Sequence, residues 1–292
     1  MRIAIYGKPF KLTKIKYIQH LVIKLEQKGC SILCEIQFYE FLKEHIEFKQ
    51  EPKFFDSYEN LNGNADIMLS IGGDGTLLST ITLVRYSGIP ILGINTGRLG
   101  FISSVSTDQI DSAINQIFKK NYSIENRALL KLESENDLFG STNFALNEIS
   151  VLKKDTSSMI CIHTYLNDEF LNSYWADGLI ISSATGSTGY SLSCGGPIML
   201  PGTNNFIISP VAPHNLNLRP LVVSDETAIR LKVDQRDQLA LVALDSRSRT
   251  IDSSLDFTVK KADFKINLIQ LKGQSFVTTI REKLMWGEDK RN

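Results

Sequence analysis

The sequence carries no excess charge of either sign. Its 292 residues hold 32 lysines and arginines against 32 aspartates and glutamates, so no net field draws the chain to nucleic acid or an acidic membrane surface. Long apolar runs are missing as well. No stretch approaches the roughly 18 apolar residues needed to cross a bilayer, and the apolar run of "MRIAIYGKPF" ends at Gly7, too early for a signal-peptide layout. Cysteines are few: Cys30, Cys34, Cys161 and Cys194. Only the first two lie close together, with no CxxC pair and no histidine-rich partner. The expectation is therefore small buried side chains in a reducing cytoplasm, not a zinc site or a disulfide framework. Internal repeats and low-complexity segments are absent. What remains is ordinary for a globular protein, 42% hydrophobic and 22% charged, with a length that suggests two domains.

The chain changes character near its middle. Up to about residue 125, short apolar runs alternate with helical patterns. "RIAIYG" (2–7), "SILCEI" (31–36), "DIMLSI" (66–71) and "IPILGIN" (89–95) read as strands. Residues 11–29 carry Ile15, Ile18, Leu21, Val22 and Leu25 at helical spacing, closed by Gly29 as a C-cap. A helix is expected to about 47, another over 75–88, and an irregular loop over 48–63. This alternation predicts an α/β domain with a parallel sheet over residues 1–126.

From about 128 to 270 the helical period disappears. Runs such as "FALNEISVLK", "MICIHTYLN", "GLIISSA", "FIISPVA" and "LALVALD" recur between Ser, Thr, Asn, Asp, Gly and Pro. Many short strands at turn-like spacing predict an all-β domain over 127–270. "SFVTTIREKLMWG" (275–287) is helical again, and 271–292 is expected to return to the first domain.

The chemistry begins at "SIGGDGTLLST", residues 70–80. In an open parallel sheet, ligands sit beyond the carboxyl ends of the strands. Gly72, Gly73 and Gly75 follow such an end, and the helix starting near Thr76 offers unpaired N–H groups that suit phosphate oxygens. Asp74 would repel phosphate there unless it meets a metal ion or a hydroxyl, which is the arrangement phosphoryl transfer needs. A plain strand-to-helix turn with Asp74 as N-cap is the competing interpretation. Neither a P-loop GxxxxGK[ST] nor a GxGxxG is present. Two further elements weigh against the plain turn. "YWADGLIISSATGSTGYSLSCGGPI" (174–198) places hydroxyls and Tyr190 after a strand, where they can contact phosphate and stack on a flat ring. "NFALNEISV" (143–151) sets Asn147 beside Glu148, an amide and a carboxylate able to bind a base edge and ribose hydroxyls.

"GGDGT" at 72–76, "NE" at 147–148 and "DGLIISSATGSTGYSLSCGGPI" at 177–198 closely resemble the NAD kinases in order and spacing. "GRLGF" (97–101) and "PHNLNLRPLVV" (213–223) extend the likeness over nearly the whole chain. GGDGT alone is shared with lipid kinases and 6-phosphofructokinases; the long second motif is far more specific. The resemblance implies transfer of the terminal phosphoryl group of ATP, or of polyphosphate in some members, to the 2′-hydroxyl of the adenosine ribose of NAD. It implies an α/β domain followed by a β-sandwich that binds NAD, with the chain end returning to the first domain. It also implies a divalent cation, usually Mg²⁺, held by no residues that could be named, and a homodimer or homotetramer whose NAD site draws on two subunits. Neither nucleic acid nor membrane is implied as a partner.

By the same resemblance, Asp74 is the catalytic residue, orienting the 2′-hydroxyl and accepting its proton, and Gly72, Gly73, Gly75 and Thr76 surround phosphate. Asn147 would read the adenine edge and Glu148 the ribose hydroxyls. Thr188, with Thr185 beside it, would face the adenine, and Tyr190 would pack on a ring of NAD. Gly189 and Ser193 complete the motif. Asp177 would lie near the nicotinamide end of a neighbouring subunit's ligand. Arg98 and Arg219 are candidates for the donor's triphosphate. His214 lies in a family-like segment; His20, His45 and His163 are read as structural.

The chain departs from the family pattern at three points. Trp175 stands where many members have arginine, Gly189 replaces the alanine of "GSTAY", and Ala184 stands where proline is common. The rival readings are a lipid kinase sharing GGDGT, a sugar-phosphate kinase, and a non-catalytic NAD-binding sensor. The lipid kinase would lack the long second motif, the sugar-phosphate kinase would carry more arginines for a second phosphate, and the sensor would be expected to lose Asp74 first.

Overall fold

The computed structural model describes residues 1–97, 100–154, 159–234, 239–251 and 255–286. The chain forms two compact units, Met1–Asn126 with Ile266–Asn292, and Arg127–Lys265.

In the first unit, β1 (Arg2–Gly7), α1 (Ile15–Gln27), β2 (Ser31–Glu35) and α2 (Ile36–Lys43) follow the expected alternation. The segment expected to be an irregular loop instead contains β3 (Lys53–Phe55) and one turn of helix, α3 (Tyr58–Leu61). Two side chains that looked like loop aromatics drive this: Phe55 and Tyr58 are both buried. Next come β4 (Ile67–Ile71), α4 (Asp74–Val84), β5 (Ile91–Asn95), β6 (Val105–Ser106) and α5 (Ile110–Phe118). The sequence reading did not foresee α5, yet Ile110, Ala113, Ile114 and Ile117 line one buried face at helical spacing.

The strands β5, β4, β1, β2 and β3 lie side by side in that order, all parallel, and the register sets Gly7 opposite Ile71 and Ile71 opposite Ile94. All five residues of β4 and of β5 are buried, as strands covered on both faces require. The helix face Ile18–Leu21–Val22–Leu25 packs into the same core as Ile3, Ile5, Leu69 and Ile114. Truncating one of these to alanine costs about 2–5 kcal/mol. α4 is tied to β4 by a buried hydroxyl contact, Thr80 to Ser70, at 2.8 Å. It ends at Arg85, and Gly88 turns the chain in the left-handed region at φ 75°.

The second unit is antiparallel throughout its described pairings. Along the chain run β7 (Tyr122–Ser134), β8 (Phe144–Ala145), β9 (Glu148–Lys153), β10 (Ile160–Leu166), β11 (Glu169–Ala176) and β12 (Gly178–Ser183). After the four-residue helix α6 (Tyr190–Ser193) come β13 (Asn205–Val211), β14 (Leu221–Ser224), β15 (Ile229–Asp234), β16 (Ala240–Leu244), β17 (Arg247–Ile251) and β18 (Leu255–Leu271). One sheet joins β11, β10, β15 and the first part of β18, with β7 and β8 beside it. The other runs β14–β13–β12–β9–β16–β17. Ile160, Ile162, Leu231 and Val259 of the first sheet share one core with Ile149, Val151, Leu179 and Val242 of the second, which makes the unit a β-sandwich.

The return to the first unit falls inside β18, at Ile266, five residues before the expected 270/271 boundary, because the strand runs unbroken through Leu271. The final helix, α7 (Phe276–Leu284), belongs to the first unit. Its N-cap Ser275 accepts the Thr278 N–H at 3.1 Å. No helix among the described residues is long and apolar enough to cross a membrane. None of the four cysteines, all among the described residues, forms a disulfide, and burial pushes the Cys34 thiol up to about 12.

Candidate active-site residues

The first cluster stands at the carboxyl end of β4. Gly72 has φ 154°, a conformation side chains rarely adopt, and a β-carbon there would run into Thr76. Its N–H donates to Ile94 O at 2.9 Å, and its carbonyl accepts the Ser103 hydroxyl at 3.0 Å. Gly73 caps α4, its carbonyl accepting from Thr76 at 2.9 Å and Leu77 at 3.2 Å. Among the described residues, and apart from the chain neighbours and the helix's own backbone, no atom lies within 4 Å of where a β-carbon would stand on Gly73 or Gly75. The first turn of α4 therefore borders open space, the setting in which a helix start binds phosphate. Thr76 is buried beneath it.

Asp74 occupies the first helical position, half-buried, and its carboxylate is held by the backbone of 101–103. Oδ2 accepts from Phe101 N–H at 2.8 Å; Oδ1 accepts from Ile102 at 3.2 Å and Ser103 at 2.9 Å. Gly100 packs so closely that a β-carbon would collide with this carboxylate. An ionised carboxylate has about four lone-pair sites. Among the described residues three are taken, so the remaining acceptor position falls on Oδ2. Asp74 is thus a fixed acceptor, oriented before any ligand arrives. Arg98 lies outside the described residues, and the exposed Arg219 is turned back on its own loop, donating to Leu216 O at 2.7 Å and Leu218 O at 2.8 Å.

The second cluster is built on β9 and the turn after β12. The Ser183 N–H donates to Asn147 O at 2.9 Å, and its hydroxyl donates to Leu146 O at 2.5 Å. Gly186 sits so close to the Asn147 backbone that no side chain fits. The small residues of "SSATGSTGY" thus let the turn lie directly on the Asn147–Glu148 segment. Gly189 borders both side chains: a β-carbon there would stand 2.9 Å from Glu148 Oε2 and 3.5 Å from Asn147 Nδ2. Asn147 Oδ1 and Glu148 Oε2 are buried and have no hydrogen-bond partner among the described residues, a costly state unless a ligand supplies donors. Burial, helped by the neighbouring Asp245 charge and opposed by the Tyr190 N–H, raises the Glu148 carboxyl to about 7.

The other expected residues fall around this turn unequally. Thr185 is buried and accepts from Arg127 Nη1 at 3.2 Å; Thr188 donates to Thr185 O at 3.3 Å. The Tyr190 ring is 39% exposed and the Trp175 indole 49%, so both present open faces. Asp177 pairs with Lys153 at 2.6 Å. Ser193 is simply exposed on α6. The exposed His214 meets Trp175 through its backbone, N–H to carbonyl at 2.9 Å. His163 bonds Ser173 Oγ at 2.7 Å and His20 meets Asp111 at 2.9 Å, both away from these clusters in the chain.

Sequence reasoning missed Asp245. It follows β16, and its carboxylate accepts the N–H groups of Leu146, Asn147 and Glu148 at 2.9, 2.8 and 3.2 Å. "ALDSR" between two apolar runs reads only as a hairpin turn, so nothing in the sequence ties it to residues about a hundred positions earlier.

Comparison with known proteins agrees on one family. Residues 3–122 match the ATP-NAD kinase N-terminal domain and residues 146–271 the ATP-NAD kinase C-terminal domain. The chain is 47% identical over 294 aligned positions to an NAD kinase of Cytophaga hutchinsonii and 48% identical to one of Flavobacterium psychrophilum, with full coverage of both chains in each case. Among solved structures it is similar to an Archaeoglobus fulgidus NAD kinase in complex with ATP, with a TM-score of 0.74, 26% identity and coverage of 98% of this chain and 99% of that one. The yeast NADH kinase complexed with NADH shares the fold, with a TM-score of 0.87 at 20% identity, covering 99% of this chain and 89% of that one.

Proposed function

The chain belongs to the NAD kinase family, and we propose that it moves the terminal phosphoryl group of ATP onto the 2′-hydroxyl of the adenosine ribose of NAD. A bond forms between the ribose oxygen and the γ-phosphorus, the bond to the β-phosphate oxygen breaks, and ADP and NADP leave. The hydroxyl proton passes to Asp74, whose remaining acceptor position on Oδ2 suits a single hydroxyl. A free aspartate is a weak base, of pKa about 3.9, so orientation is the larger part of its role. The first turn of α4, with Gly73 and Gly75, meets the donor's phosphates.

The observation that carries this reading is the pair of buried acceptors without partners, Asn147 Oδ1 and Glu148 Oε2. Adenine offers an amino donor beside a ring-nitrogen acceptor, which an asparagine amide matches with both its groups. Ribose hydroxyls donate to a carboxylate. Tyr190 and Trp175 offer ring faces, Trp175 in place of a charge. A divalent cation neutralises charge on transferring phosphates. Among the described residues no group of three or more His, Cys, Asp or Glu side chains could hold a metal ion. Mg²⁺ is commonly bound through one or two carboxylates and substrate phosphates, so the ion would be held chiefly by the donor's phosphates. A cytoplasmic homodimer or homotetramer completes the reading, with Asp177 near a neighbouring subunit's ligand; light scattering that finds only monomer removes that role from Asp177.

The test is NADP formation by the purified chain with NAD, Mg²⁺ and either ATP or polyphosphate, with NADH in parallel. NADP from ATP is expected. Tight NAD binding without any NADP would leave a sensor.

A further inference from the structure

Three consecutive N–H groups, those of Leu146, Asn147 and Glu148, converge on the one carboxylate of Asp245. A regular strand cannot do this, because its successive N–H groups point to opposite sides. The segment leading into β9 therefore has a conformation that needs an anion at its focus, as backbone nests do. The hairpin meets it again from the other side, where the Asp245 N–H donates to Glu148 O at 2.9 Å. Asp245 itself sits at φ 52°, in the left-handed region that aspartate enters more readily than most residues. Two residues on, Arg247 donates to Thr142 O and Phe144 O and stands 5.6 Å from the Phe144 ring centre. Asp245 and Arg247 thus hold residues 142–148 at both ends.

We propose that Asp245 is a positioning residue for NAD binding, fixing the backbone from which Asn147 and Glu148 reach the ligand without touching the ligand itself. The inference rests on the reading of those two side chains as NAD contacts. Fixing them before binding lowers the ordering cost that the ligand would otherwise meet. The hairpin has a second effect through charge. The groups facing the Glu148 carboxyl are the Asp245 carboxylate and the Tyr190 N–H, and Arg247 acts on Asp245. Burial raises the Asp245 carboxyl against the pull of its three N–H donors and Arg247. Its charge in turn helps burial raise the Glu148 carboxyl.

The experiment compares wild type, Asp245→Asn, Asp245→Ala and Glu148→Gln in the steady-state assay, with circular dichroism and thermal unfolding as the check on folding. For Asp245→Ala, KM for NAD is expected to rise about tenfold or more, since ~1.4 kcal/mol of lost preorganisation is a factor of ten. Both kcat and KM for ATP should stay within about twofold, because no group acting in the transition state is removed. Asp245→Asn should recover part of the affinity, since one carbonyl oxygen still serves the Asn147 and Glu148 N–H groups. It should also move the acid limb of NAD affinity to lower pH, because the charge facing Glu148 is gone. A folded Asp245 variant with wild-type KM for NAD overturns the inference. So does an equal loss in kcat and both KM values, and so does failure of both variants to fold, which makes Asp245 a folding determinant only. The underlying reading fails separately, if the wild type makes no NADP or if Glu148→Gln binds NAD normally.

Discussion

Asp74 and Asp245 use one device in two places. Each carboxylate collects three consecutive backbone N–H groups, from 101–103 in the first unit and from 146–148 in the second. The surroundings differ. Asp74 begins a helix beside two glycines that border open space, so the backbone holds the side chain and, among the described residues, leaves one acceptor position unused. Asp245 closes a hairpin, and there the side chain holds the backbone while Asn147 and Glu148 keep the unsatisfied atoms. A carboxylate fixed by N–H groups can be either the working group or the support of one. Which it is depends on where the unspent hydrogen-bonding capacity lies.

Asp74→Asn tests the contrast most severely. With the carboxylate replaced by an amide, kcat should fall by about 10²–10⁴, the usual range for a general acid–base group, while NAD still binds within about threefold. The amide also turns an NH₂ toward N–H donors, so stability should drop by about 1–3 kcal/mol. Near-wild-type turnover would make Asp74 a support like Asp245 and erase the distinction.

A pair of glycine substitutions sharpens the second half of the comparison. In Gly186→Ala the new methyl meets the Asn147 backbone, which cannot rotate aside. Urea unfolding should show a loss of about 1–3 kcal/mol, together with weaker NAD binding. The Glu148→Gln effect on stability is of similar size but depends on pH. With the folded carboxyl raised to about 7 from 4.5, its contribution to stability is fully present below 4.5 and is lost as pH rises through 7. The glutamine protein should therefore be more stable than wild type by about 3–4 kcal/mol above pH 8, since each tenfold change in proton affinity is worth ~1.4 kcal/mol, and the difference should vanish near pH 4. A difference that does not change with pH would show that Glu148 is not the buried acid described here. Gly189→Ala should be mildest. Its methyl would meet the movable end of Glu148 at 2.9 Å and, less closely, the Gly186 carbonyl at 3.1 Å, so KM for NAD should change less than about threefold and stability by less than ~1 kcal/mol. A loss as large as that of Gly186→Ala would mean that Glu148 cannot give way.

Much of the fold was legible because period and punctuation are local. Strand–helix alternation to about 125, and short strands separated by turn residues after it, reflect which side chains face a core. What was missed has local causes too. β11, "EFLNSYWA", shows polar residues because most of its length is not buried. β3 and α3 looked irregular until Phe55 and Tyr58 were seen to be buried.

The sequence by itself singled out the candidate chemistry-bearing residues. Asp74 among glycines, Asn147 beside Glu148, and the small residues after β12 are contiguous words, and contiguous spacing survives in the chain. Only the tertiary structure decided which of their atoms are free. The 101–103 N–H groups fill most of Asp74, Asp245 takes the N–H groups of 146–148 from nearly a hundred residues away, and Gly186 is required by a backbone rather than by a ligand. Hydrogen-bond saturation and close approach are properties of space, set by partners distant in sequence, and one linear chain without its fold does not specify who those partners are.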